Sequence, residues 1–170
     1  MDGIKAMKRS TCFSCGARVL DVDGPVHLYM DSSPGCWAAF GTVLEREYTN
    51  FDYMRLHGLT VDAYAVQHPG KPSPQCIGSV AIHLASLCQI FERGTTMTES
   101  TRFMQRLARH KASFTWLDPP ENLGPVTVVN LVVATNAEDH LKFVQEWARS
   151  AWAAWEEHHD QVRAWVDLCQ

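Results

Sequence analysis

The sequence predicts a mainly α-helical bundle with a loop-rich N-terminal segment, organised as a single domain over residues 1–170. Three observations lead there. Apolar residues recur at helical spacing through most of the chain after residue 33. The first 32 residues are short apolar runs broken by Gly16, Gly24 and Pro25. Three of the six cysteines, Cys12, Cys15 and Cys36, cluster at this end. With 170 residues, 46% hydrophobic and 20% charged, the chain is long enough to bury one core and is not disordered in composition.

Each element follows from local chemistry. Residues 1–32 suit turns and one hairpin, a zinc-knuckle-like cap on a bundle formed by residues 33–170. Ser32 or Ser33 caps a helix through "PGCWAAFGTVLEREY", and Pro34 fits its first turn because no N–H is needed there. "FDYMRLHGLTVDAYAVQH" is a second helix, opened by Asp52, weakened by Gly58 and closed by Pro69-Gly70. After the turn-rich "PGKPSP", the run "QCIGSVAIHLASLCQIFERG" puts Ile77, Val80, Leu84, Leu87 and Phe91 on one face and stops at Gly94. "TMTESTRFMQRLARHK" is amphipathic, with Thr98 as its cap. "FTWLDPPENLGPVTVV" is a loop, and Thr127 caps a short helix through "VVNLVVA". From Asn136 onward, Leu141, Val144, Ala148, Ala151, Trp155, Val162 and Val166 predict one helix crossing the whole domain.

Composition excludes several classes of function. No run approaches the roughly 18 apolar residues of a membrane span, and "MDGIKAMKRS" lacks the apolar stretch of a signal peptide. A cytoplasmic protein with no membrane partner is expected. The net charge of −4 gives no electrostatic reason to bind nucleic acid, and "KAMKRS" reads as a solvated basic tail. In a reducing compartment the cysteines are thiols and ligands rather than disulfides, with Cys76, Cys88 and Cys169 as small core or edge residues.

Cys12-x2-Cys15-Gly16 is the spacing at which a tight turn points two thiolates at one ion, and the glycine permits a left-handed backbone. His27 and Cys36 complete a Cys3His set for a structural Zn2+ tying the cap to the first helix. Competing readings are weaker. Covalent haem attachment fails because Gly16 stands where C-x-x-C-H needs histidine, and a redox pair lacks its βαβ context. Cys36, near the start of a capped helix, has the placement of a nucleophilic thiolate, with His158 or His159 as its base. A knuckle with three protein ligands and an open position would instead be catalytic.

Histidines and carboxylates give a second candidate centre. A bundle site needs one histidine from each of several helices: His57 or His68, His83, and His158 or His159, with Asp62 or Glu156 as the carboxylate. A pocket between "DAYAVQHPG" and "EEHH" would bind a small molecule. There Asp62 or Glu156 would be the catalytic carboxylate, and His68 or His159 the general acid/base or ligand to a possible second metal. The alternative is a non-enzymatic module that binds a partner protein through Trp147, Trp152 or Trp165 of the last helix.

The strings "CxxCG", "SSPGCWAAF", "LTVDAYAVQHPG", "SVAIHLASL", "FTWLDPP" and "WAAWEEHHDQVRAW" resemble an uncharacterised bacterial family known as a domain of unknown function, over residues 12 to 166. The resemblance implies one full-length unit in a bacterial cytoplasm and brings no activity. It singles out Cys12, Cys15, His27, Cys36, Asp62, His68 and His159 for joint testing.

Overall fold

The computed structural model describes residues 7–169. The start of the basic tail, at residues 5 and 6, lies outside them; Lys8 pairs with Asp21 at 2.8 Å. Among the described residues the architecture is eight α-helices and one two-stranded sheet.

Strands β1 (Arg9–Thr11) and β2 (Arg18–Leu20) form an antiparallel hairpin with Ser10 opposite Val19. In its turn the Cys12 N–H donates to the Ala17 carbonyl and the Gly16 N–H to the Cys12 carbonyl. Gly16 adopts φ +75°, the left-handed conformation that glycine tolerates best. Helix α1 (Pro34–Thr49) follows, its Cys36 N–H capped by Ser33 Oγ and Pro34 in its first turn. A Cβ on Gly35 would collide with the Leu20 carbonyl oxygen, so the hairpin backbone lies directly on the first turn of α1.

The second predicted helix is divided. Asn50, not Asp52, caps α2 (Phe51–Met54), and α3 (His57–Gln67) begins after Leu56, whose φ −117° and ψ 22° interrupt the helix. The break sets His57 and Thr60 against Glu47 of α1. Helix α4 (Pro74–Phe91), capped by Ser73, is the central element. Helices α3, α5 (Met97–Leu107) and α8 (His159–Asp167) pack on it, and α7 (Ala137–Ala154) packs on α3 and α4.

By length and composition α4 does qualify as a membrane span, the one such helix among the described residues, which corrects the expectation that none comes close. Half of it is buried inside the molecule. Its Ser86 and Gln89 are buried too, which suits the core of a helical domain.

The α5 cap is Thr96, which forms a reciprocal box with Glu99, rather than Thr98. A tight helical turn at Ala108–Ser113 follows, and Thr127 with Asn130 opens α6 (Val128–Val132) as expected. The single long C-terminal helix is not formed. α7 ends at Ala154, Trp155 (φ −92°, ψ 18°) leads into a tight turn at Glu156–His158, and α8 resumes. No glycine or proline marks this break; tertiary bonds accompany it. The Trp155 indole N–H donates to the Val66 carbonyl, His158 bonds the Asp118 carbonyl, and His159 bonds the Trp152 carbonyl. Trp147 and Trp155 are fully buried, and the Trp147 ring meets that of Tyr64 edge-on at 6.4 Å.

Candidate metal centre

Four residues from separate parts of this frame meet at one point. The hairpin turn supplies Cys12 and Cys15, the first turn of α1 supplies Cys36, and the residue that ends α3 supplies His68. Their ligand atoms all lie within 4.8 Å of one another, and all four residues are buried. Cys15 Sγ is 3.7 Å from Cys36 Sγ, while His68 Nε2 is 3.4 Å from Cys36 Sγ and 3.8 Å from Cys12 Sγ. Metal–sulfur bonds of about 2.3 Å and metal–nitrogen bonds of about 2.0 Å give a zinc tetrahedron edges of about 3.8 Å between sulfurs and about 3.5 Å from sulfur to nitrogen. The spacing matches a coordination shell.

His68 is oriented for this role. Its Nδ1–H donates to the Tyr64 carbonyl at 2.7 Å, which leaves the Nε2 lone pair facing the thiols. The Tyr64 ring stacks on the imidazole at 3.9 Å, and its O–H donates to Cys36 Sγ at 3.8 Å. Ser14 in the hairpin turn fastens the knuckle to α3 by donating to the Gln67 carbonyl at 2.9 Å. Helix α3 stops here because Pro69 follows and Gly70 turns the chain at φ +71°. A Cβ at Gly70 would stand 2.5 Å from the Tyr29 carbonyl oxygen and 2.7 Å from Cys76 Sγ.

The thiols share their charge unequally. Hydrogen bonds from Cys15 and Cys36 hold Cys12 well below the usual thiol range as a thiolate. The bond to Cys12 pushes Cys15 up to about 12, and bonds to Cys12 and Cys15 push Cys36 higher still. A divalent cation is the partner that lets further thiols ionise in a space this small.

The structure places His68, not His27, beside the three cysteines. His27 Nδ1 accepts the backbone N–H groups of Met30 at 3.1 Å and Tyr29 at 3.3 Å, and its ring packs on those of Tyr29 and Trp37. It shapes its own loop, and burial lowers its pKa.

The set Asp62, His68, His159 and Glu156 is dispersed. Asp62 bonds His83 and Ser86, while His159 stacks on Trp152 at 3.6 Å and lies 3.8 Å from Glu92. Glu156 is exposed in the turn before α8. Nor do the other histidines converge on a second ion among the described residues. His57 and His140 bond Glu47, and His158 bonds a carbonyl. Trp147, Trp152, Trp155 and Trp165 are buried, so the last helices do not present them as a docking face.

Sequence reasoning missed His68 as the fourth member of the cysteine cluster; it grouped His83 with Asp62, and the two do meet, but without the other histidines expected beside them. The clue to His68 was local: a histidine that ends a helix immediately before Pro-Gly is held at a fixed corner. A family model described as "Family of unknown function (DUF5946)" matches residues 10–156, a span that includes all four members of the centre. No curated protein and no solved structure matches the chain.

Proposed function

The chain belongs to DUF5946, a family of unknown function, and we propose that it is a zinc-stabilised helical protein in which Cys12, Cys15, Cys36 and His68 hold a structural Zn2+. The observation that carries this reading is the orientation of His68, whose Nδ1–H is spent on the Tyr64 carbonyl while Nε2 faces three thiols at coordination-shell spacing. Four buried protein ligands leave no position for a water nucleophile, which favours a structural over a catalytic ion. The ion would join the hairpin, α1 and the end of α3 into one body, and its binding energy would be part of the folding energy. A reducing compartment such as the cytoplasm keeps these thiols available as ligands.

The test is elemental analysis of protein purified without a metal-binding tag, on the wild type and on His68→Ala and His27→Ala. Stoichiometric zinc in the wild type and in His27→Ala, with zinc lost or easily stripped from His68→Ala, is the expected result. A metal-free wild type, or zinc that depends on His27 and not on His68, would overturn it.

A further inference from the structure

A second polar cluster, independent of the cysteines, lies where α3 meets α4. Asp62 is buried, its Oδ1 accepting from His83 Nδ1–H at 2.7 Å and its Oδ2 from the Ser86 hydroxyl at 2.7 Å. A carboxylate only accepts, so Ser86 donates to it, and the Ser100 hydroxyl, 2.8 Å away, donates to Ser86. Both oxygens of Asp62 are thus engaged, and the imidazole is held as the Nδ1–H tautomer. Its other nitrogen, Nε2, has no hydrogen-bond partner among the described residues, and His83 lines a cavity of about 260 Å³ together with Tyr29, Gln75, Ser79 and Lys111. A neighbouring cavity of about 490 Å³ shares the Tyr29 and Gln75 walls and continues to Lys71.

A strut between two helices needs only the Asp62–His83 bond. It does not call for the free face of the imidazole to line a cavity with a lysine and an amide as co-lining groups. The arrangement has the logic of hydrolytic dyads, in which a buried carboxylate fixes the tautomer and balances the imidazolium that forms when Nε2 takes a proton.

We propose that this groove binds a small molecule carrying a carboxylate or phosphate group, with Lys111 holding the anion and the Asp62-oriented His83 serving as general base at Nε2. In the step assigned to it, an O–H bond of an attacking water breaks as the Nε2–H bond forms. The water oxygen bonds an ester carbonyl carbon of the ligand, the carbon–oxygen bond to the alcohol breaks, and the departing alkoxide takes the proton back from Nε2. The electron pair of the broken O–H bond stays on oxygen, and the positive charge on His83 is balanced by Asp62, which remains ionised.

Two experiments test this. Inorganic phosphate and, separately, acetate are titrated into 15N-labelled protein, with the Gln75, Ser79, His83 and Lys111 signals followed. Saturable shifts confined to these residues, lost in Lys111→Ala, are expected, and whichever anion saturates first names the headgroup class. Shifts that do not saturate, or that persist in Lys111→Ala, overturn the anion site. Hydrolysis of p-nitrophenyl acetate then reads the base. Loss of most of the activity in His83→Gln and a several-fold drop in Asp62→Asn are expected, whereas activity unchanged in His83→Gln overturns the role of His83. Long-range 1H–15N correlation on the wild type reads the tautomer without any variant, and a predominant Nε2–H form would equally sink the proposal.

Discussion

Helix α1 is fastened to α3 at both of its ends. At its start, Cys36 meets His68, which ends α3, together with Cys12 and Cys15 of the hairpin. Near its other end Glu47 takes the Thr60 hydroxyl at 2.6 Å, His57 Nδ1 at 2.6 Å and, from α7, His140 Nε2 at 2.9 Å. Both junctions are buried polar clusters, yet only one is complete as protein. A carboxylate offers enough lone pairs for three donors, and the one orphan left is His140 Nδ1. Nε2–H is the donor to Glu47, so that orphan is an acceptor lone pair. One thiolate, two thiols and an imidazole lone pair cannot satisfy one another in the same way, because a thiol is a weak donor and the centre holds more acceptors than donors. The lesson is that a buried polar junction closes through its own hydrogen bonds where donors and acceptors balance, and calls for an ion where they do not.

Removing the metal should break the two junctions apart most clearly. With a strong chelator at neutral pH, the hairpin and the first turn of α1 should lose amide-exchange protection while the Glu47 junction keeps its own. The proposed zinc site is the larger energy, on the order of 10 kcal/mol in apparent terms. Equal loss of protection at both ends of α1 would show that the junctions are not separable.

Next in size is Glu47→Ala, which strips three donors of their acceptor inside the core. A loss of about 3 kcal/mol in urea unfolding is expected, with zinc content unchanged. A cost near zero would mean that the histidines repack.

The smallest effect is the pH dependence. Burial favours the neutral acid, but hydrogen bonds from His140, His57 and Thr60 outweigh it and hold the Glu47 carboxyl below its ordinary value. Its contribution is therefore fully present above the unfolded value of about 4.3 and is lost as pH falls through the lower folded one. Glu47→Gln should flatten this part of the acid limb of a stability–pH curve. An unchanged slope would remove Glu47 as its source.

The same contrast governs what could be read from sequence. Cys12, Cys15, Gly16 and Cys36 were legible because a knuckle is a local motif and a capped helix start fixes the third thiol. His68 was not, since its arrival depends on how α3 packs against α1, and His27 is nearer in sequence but is used by its own loop. Helix caps at Ser33 and Thr127 followed from residue chemistry. The break at Trp155 did not, because the bonds made there to Val66 and Asp118 come from outside the local pattern. Asp62 and His83 were grouped from the sequence as candidates for one site, and they meet across 21 positions on two helices, whereas His68, His159 and Glu156 of the same expectation lie elsewhere.

If the proposed Zn2+ binds, the spacing of the four residues of the centre would also set an order of assembly. Cys12 and Cys15 sit in one tight turn, Cys36 is 21 positions beyond Cys15, and His68 is 32 beyond Cys36. Loop closure costs more as the loop lengthens, so a chain collapsing around an ion closes the knuckle first and His68 last. Because His68 is aimed by the last turn of α3 through the Tyr64 carbonyl, the final position fills only when that helix has formed and docked. With the proposed Zn2+ bound, the fourth ligand would act as a checkpoint in folding: a protein holding that ion tightly would already have put α1 and α3 together.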